Sequence, residues 1–290
     1  MRVYVFFFTH LVCSLSLSYV SSHSQTSLID VQKALKGLVI MNGSLQQVFD
    51  QILTGKLPSL WADASYPSLK PVDAYVDDLC ARVTFFRDWF DAGAPPQDFW
   101  LPGFFFTQSF LTGALQNFAR KYRLPIDTLE FGFSITSRVG EKQEKPSATT
   151  GKKEYFIVDR PDDGVIVWGL FLDGAAWDGG ANGALADPKP KELFSVAPSI
   201  WIKPIEREAA AVEAAARHEA IIMAQAKGVI ASEMPRQVYD CPMYKTSERR
   251  GVLSTTGQST NFVMSVQLPC KTAPEFWTLR GTALLTQLDE

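Results

Sequence analysis

Acid–base and nucleophilic chemistry needs imidazoles, thiols or carboxylates held within reach of one another. This 290-residue sequence is sparing with the first two. Of its three histidines, His10 and His23 lie in the apolar first segment, leaving His218 as the one imidazole of the body. A Ser-His-Asp or Cys-His site would have to be built around it. His218 sits in an alanine- and glutamate-rich run, where a solvated helical face is its ordinary setting. The four cysteines, Cys13, Cys80, Cys241 and Cys270, include no Cys-x-x-Cys pair and no even, closely spaced framework, so buried reduced thiols are expected. No His-rich metal site can be assembled. Carboxylates occur side by side at Asp77/Asp78, Asp162/Asp163 and Asp289/Glu290, each where exposed charge is ordinary.

Phosphate chemistry is also excluded. A P-loop needs Gly-x-x-x-x-Gly-Lys followed by a hydroxyl, because free amides cradle the phosphates and the hydroxyl reaches Mg²⁺. Thr54-Gly55-Lys56-Leu57 and Thr150-Gly151-Lys152-Lys153 lack both the first glycine and the hydroxyl. Gly179-Gly180-Ala181-Asn182-Gly183 lacks the dinucleotide spacing and reads as a flexible loop. Gly251 to Gly257 is not a nucleophile elbow, which needs one residue between the serine and each glycine. The sequence therefore offers no catalytic, cofactor-binding or metal-ligating residues. What remains is one basic cluster in the strand-rich half, Lys245, Arg249 and Arg250, suited to an acidic partner surface if it is exposed.

Composition agrees with a large apolar core. The sequence is 46% hydrophobic and 12% aromatic, which excludes a disordered protein. A net charge of −3 provides no field that would gather nucleic acid or an anionic membrane.

Three segments follow from the pattern. Residues 1–26 start with Arg2, run through Val3-Tyr4-Val5-Phe6-Phe7-Phe8 and end in small residues, the outline of a secretory signal. As a membrane span the segment is interrupted by Thr9, His10, Ser14, Ser16 and Ser18. Residues 27–125 read as a helical bundle. Leu28, Val31, Leu35, Leu38 and Val39 recur at helical spacing in its first helix. A second helix opens with Ser44 as N-cap and Gln47 three places on, a capping box. A third carries Tyr75, Val76, Leu79, Val83, Phe86 and Phe90 inward, and a fourth carries Phe106, Phe110, Leu111, Leu115, Phe118 and Tyr122.

At Pro125 the period changes from helical to alternating. Residues 126–290 are expected to form strands near 129–135, 155–158, 165–171, 193–202, 237–244, 261–268 and 277–288. These suggest a small antiparallel β-barrel or sandwich. Glu206 to Lys227, alanine-rich with Glu213 four residues before Arg217, reads as an inserted helix. The fold class is α+β: a helical bundle, then a barrel.

Several stretches resemble the C-terminal region of dynein heavy chains, particularly the axonemal ones. They are Phe99-Trp100-Leu101-Pro102-Gly103-Phe104-Phe105-Phe106 with Phe110 to Gln116, then Gly169 to Asp178, then Cys241-Pro242-Met243-Tyr244-Lys245-Thr246-Ser247-Glu248-Arg249-Arg250-Gly251 with Leu253 to Gly257 and Ser259 to Val263, and the closing Trp277, Arg280-Gly281 and Gln287-Leu288. The resemblance covers about Ser27 to the end, in order. It implies helices followed by an antiparallel β-barrel, no catalytic residues and no cofactor. The implied role is to lie on one face of the AAA+ ring of a dynein motor and modulate how its modules move. Partners would be that ring and, through it, dynein complex subunits and microtubules, with no nucleic acid and no direct membrane role. The implied location is the cytoskeleton, in the axoneme of a cilium or flagellum or in the cytoplasm.

Two features depart from the family pattern, the helix at 206–227 and the leader. The leader up to about Thr26 is expected to be non-coding sequence read ahead of the first family residue, rather than a genuine signal. A secreted β-barrel module, stacking sugars on exposed Trp168, Trp177 or Trp201, is the alternative; a hydrolase around His218 is third.

Overall fold

The computed structural model describes residues 3–136, 161–179, 183–227, 236–253 and 259–289. A helical layer comes first, with α1 (Val3–Leu35), α2 (Gly43–Leu53), the single turn α3 (Ser59–Ala62), α4 (Val72–Ala92) and α5 (Thr107–Tyr122). The strands are β1 (Asp98–Trp100), β2 (Leu129–Ile135), β3 (Val165–Trp168), β4 (Phe171–Asp173), β5 (Ala176–Asp178), β6 (Ala184–Ala186), β7 (Phe194–Val196), β8 (Ile200–Glu206), β9 (Gln237–Tyr244), β10 (Phe262–Cys270) and β11 (Ala283–Leu285). Two further helices, α6 (Arg207–Ala226) and α7 (Pro274–Arg280), lie among them. The strands form a four-stranded sheet, β1-β3-β8-β2, and a seven-stranded sheet, β5-β6-β10-β9-β11-β4-β7. The molecule is α+β, and one continuous cluster of buried side chains runs from α1 to β11.

Helix α1 passes position 26 without a break. Its buried residues are His10, Cys13, Leu17, Val20, Ser24, Ser27 and Val31, spaced alternately three and four apart, so they form one stripe along the helix. Two long-range hydrogen bonds fix the stripe. His10 Nε2 donates to Phe86 O at 2.8 Å, and Trp61 Nε1 donates to Ser27 Oγ at 2.8 Å. Of the five apolar residues expected to face inward from Leu28 onward, Val31 is buried, while Leu35 and Leu38 are more than half exposed. The true stripe is hard to see because it is built partly of serine, histidine and cysteine. No helix among the described residues is long and apolar enough to cross a membrane.

The start of α2 also differs from expectation. Asn42, not Ser44, is the N-cap: its side chain accepts from Leu45 N at 2.9 Å. Ser44 Oγ instead donates to Asn42 Oδ1, and Gln47 Nε2 reaches across to Ser59 Oγ.

Helix α4 carries a charge into the core. Tyr75, Leu79 and Phe86 face inward as expected, but Val76, Val83 and Phe90 are exposed. The stripe is rotated, and Asp78, Arg82 and Trp89 complete it. Arg82 is fully buried. Its Nε donates to Asp78 Oδ2 at 2.7 Å, its Nη1 donates to Pro102 O, and its guanidinium lies 3.7 Å from the Tyr66 ring centroid. Tyr66 Oη donates to Asp78 Oδ2 at 2.9 Å. Burial is the largest influence and works against the guanidinium charge, but Asp78 and Tyr66 together outweigh it, so Arg82 holds its proton more firmly than in water. The expectation that Asp77 and Asp78 are both exposed is thus half right: Asp77 is exposed, and Asp78 is 2% exposed.

The sheets show where the alternating pattern misleads. The run at 165–171 is two strands in different sheets, because the backbone turns at Gly169 with φ +89°. A Cβ there would stand 2.5 Å from Trp100 Cδ1, so the turn needs glycine. The run at 193–202 likewise divides into β7 and β8, again in different sheets. The stretch 277–288 begins in a helix: Pro274 sits in the first turn of α7, and Gly281, at φ +72°, caps its end. The strand expected at 155–158 lies outside the described residues. The others, β2, β9 and β10, lie where the alternation places them.

The small antiparallel barrel is not found among the described residues. Both sheets are open, and three pairings are parallel: β1 with β3, β6 with β10 and β9 with β11. The seven-stranded sheet curls until its edges β5 and β7 approach one another. Ser195 Oγ donates to Ala175 O at 2.7 Å across that gap, but no backbone ladder closes it. Helix α6 follows β8 directly, as expected of an insertion, and Arg217 Nη2 pairs with Glu213 Oε1 at 3.3 Å.

Removing Arg82 would take the guanidinium from the buried Asp78 carboxylate. Arg82→Met is expected to lower unfolding free energy by about 3–5 kcal/mol, read as the shift of a urea midpoint. Adding Asp78→Leu to it should recover most of that loss; no recovery would show that the pair is not the source.

Candidate functional site

The three basic residues singled out by sequence lie in the connection between β9 and β10. That connection is pinned at both ends. Lys245 N donates to Asn261 O at 2.9 Å, while Thr286 Oγ1 donates to Lys245 O at 2.9 Å. Farther out, Thr260 N donates to Val252 O at 3.0 Å, and Leu253 bridges Ser259. Asn261 closes the base of the loop: its Nδ2 donates to Thr246 Oγ1 at 2.7 Å and to Glu248 O. Asn261 is 7% exposed, and its Oδ1 is buried without a hydrogen-bond partner.

Lys245, Arg249 and Arg250 do not act as one patch. Arg249 turns inward: Nη1 donates to Gly281 O at 2.6 Å, and Nη2 pairs with Asp173 Oδ2 at 2.5 Å. It thereby ties the connection to the C-terminal end of α7, where backbone carbonyls favour a cation, and to the end of β4. Lys245 is half-buried, and burial pushes its ammonium pKa down. Arg250 is exposed. Among the described residues neither Lys245 nor Arg250 has an ion-pair partner.

Lys245 and Arg250 share a cleft of about 320 Å³ between the two halves of the molecule. Its opposite wall is Leu57, Tyr66, Pro67 and Leu69, from the segments flanking α3. Gln287 Nε2 donates to Pro67 O at 3.1 Å, holding that wall to the C-terminal segment. Tyr66 is held from behind by Asp78, and burial raises its phenol pKa. Its described lining includes neither histidine nor cysteine; the titratable groups in it are Tyr66, Lys245, Glu248 and Arg250. The sequence signal that could have found Asn261 was its place immediately before an alternating strand; its role was not legible.

The remaining candidates are placed as follows. His218 is exposed on α6. Cys13, Cys241 and Cys270 are buried and Cys80 is exposed, all as free thiols. Burial raises the Cys241 pKa, and burial followed by Glu275 pushes that of Cys270 up to about 11. Asp163 accepts from Lys121 Nζ and Tyr122 Oη, each at 2.6 Å, and Asp289 accepts from Ser247 Oγ at 2.5 Å. Trp168, Trp177 and Trp201 are half-buried on β3, β5 and β8 rather than displayed on exposed loops, and Trp201 Nε1 donates to Asp163 O at 2.9 Å. Among the described residues no group of three or more His, Cys, Asp or Glu could hold a metal ion.

Known proteins match this sequence along nearly its whole length. The family model for the C-terminal domain of the dynein heavy chain matches residues 17–286. The match begins at residue 17, so the expectation that nothing up to about Thr26 matches the family does not hold for residues 17–26. The sequence is 45% identical over 263 residues to dynein axonemal heavy chain 3 of Mus musculus, covering 91% of this protein and 6% of that one. It is 44% identical over 266 residues to dynein axonemal heavy chain 12 of Homo sapiens, covering 92% and 7%. Against dynein axonemal heavy chain 6 of Homo sapiens it is 37% identical over 271 residues, covering 91% and 6%. The 290 residues thus span a small fraction of the length of these relatives.

The division of labour among the three basic residues is testable by thermal unfolding. Arg249→Gln should cost about 1–2 kcal/mol, being a half-exposed ion pair with a carbonyl bond added. Arg250→Gln should stay within about 0.5 kcal/mol of the parent. Equal effects would contradict the assignment.

Proposed function

We propose, from the premise that this protein belongs to the family of dynein heavy-chain domains found at the C-terminus, that it is a non-catalytic bracing region of an axonemal motor. In this reading it packs against the ring of ATPase modules and modulates how they move relative to one another. Through the ring it influences motility along microtubules in the axoneme of a cilium or flagellum. No cofactor is needed for this role. The observation that carries the reading is the family match over residues 17–286.

The architecture suits such a role. A brace must transmit force without yielding, and a single buried cluster joins the helical layer to both sheets. The two-part organisation about residue 125 is bridged by β1 (Asp98–Trp100), which comes before that point and pairs with β3 beyond it. Lys245 and Arg250 are the residues assigned to docking, and Arg249 shapes the loop that presents them.

The test is reconstitution. A dynein ring fragment truncated before this region is mixed with the 290-residue protein and passed through size exclusion. Comigration with an altered ATPase rate of the ring is expected. Absence of comigration, or tight saturable ATP binding by the 290-residue protein alone, would overturn the reading.

A further inference from the structure

The cleft beside the β9–β10 connection has an incomplete set of partners. On one wall stand two cations with no ion-pair partner among the described residues, Lys245 and Arg250. Lys245 is half-buried and its pKa is lowered by burial alone, so its charge is held in a partly desolvated setting with no anion supplied. At the base of the same cleft, Asn261 keeps a buried side-chain oxygen that accepts from no group among the described residues, although both bonds of its Nδ2 are made. Buried acceptors left empty are uncommon and carry a free-energy penalty. The facing segments bring Leu57, Ala62, Pro67 and Leu69, with Tyr66 and Ser68 among them.

The missing partner must therefore bring an anion, an N–H or O–H donor and apolar surface, all within about 320 Å³. A free phosphate brings acceptors but no apolar surface to set against Leu57 and Leu69. An extended peptide supplies all three: a carboxylate, a backbone N–H and a neighbouring apolar side chain. We infer that this cleft binds an acidic peptide segment, its carboxylate on Lys245 and Arg250 and its flanking apolar side chain against Leu57 and Leu69. The inference rests on the docking role proposed above and names the chemistry of what docks. The volume admits one or two side chains, so the segment is read locally rather than wrapped.

The test uses the 290-residue protein and a fluorescein-labelled octapeptide alternating leucine and glutamate, followed by anisotropy. Saturable binding is expected, weakened about fivefold by either Lys245→Gln or Arg250→Gln and further by the pair. Arg120→Gln, an exposed change on α5, should leave it unaltered. The side-chain amide resonance of Asn261 should shift as the peptide is added to the parent protein. The inference is overturned by non-saturable binding, by equal binding of a leucine–lysine octapeptide, by insensitivity to both cleft substitutions, or by displacement with millimolar inorganic phosphate. Ring comigration measured on the same samples separates the two readings. Loss of peptide binding with comigration intact removes this inference and leaves the bracing role standing.

Discussion

A guanidinium buried in an apolar core is the constraint on which the rest of this molecule depends. Arg82 cannot shed its charge, so the fold must surround it with acceptors. Three separate segments do so. Asp78 comes from the same helix, Pro102 supplies a carbonyl from the turn after β1, and Tyr66 lays its ring under the cation from the segment before α4. Each contact fixes something farther away. Tyr66, held in place, becomes a wall of the cleft. Trp100, whose ring is 5.8 Å from the Arg82 guanidinium, stands where the backbone must cross from one sheet to the other, and only glycine at 169 leaves room for it.

The basic connection between β9 and β10 repeats that logic on a smaller scale. Three cations close in sequence have different roles: Arg249 is engaged by Gly281 and Asp173, and its neighbours remain available. One of the three charges thus helps build the loop, and the other two have no ion-pair partner among the described residues. For a member of this dynein family, that arrangement puts the unpaired charge at the seam between helices and strands.

Much of this architecture was legible in the sequence, and the losses have physical causes. Strands β9 and β10 announce themselves because one face of each is largely buried, giving near-alternation, whereas β2 alternates in residue type although only Leu129 and Gly132 in it are fully buried. The α6 insertion is visible from alanine content and its Glu213–Arg217 pair. Sheet identity was hidden, because a run such as 165–171 reads as one strand until the turn at Gly169 is seen. Helix α7 is obscured in the pattern although Pro274 and Gly281 bracket it, since its apolar residues are too few to set a period. The α1 stripe was missed for a chemical reason: Ser24, Ser27 and His10 are buried polar groups, satisfied by hydrogen bonds, and a hydropathy pattern scores them as surface. Asp78 and Arg82 were missed on the same ground. At the candidate site, the basic residues could be named, but which of them was already engaged could only be learned from the contacts.

The central claim is that helices and strands form one unit locked through Arg82, as a brace requires. Native-state hydrogen exchange on the 290-residue protein tests it most directly. The account predicts that the slowest amides of α4 and those of the β9–β10 ladder share one opening free energy and fall together in Arg82→Met. Two separate free energies, with α4 opening while β9 and β10 stay protected, would contradict it.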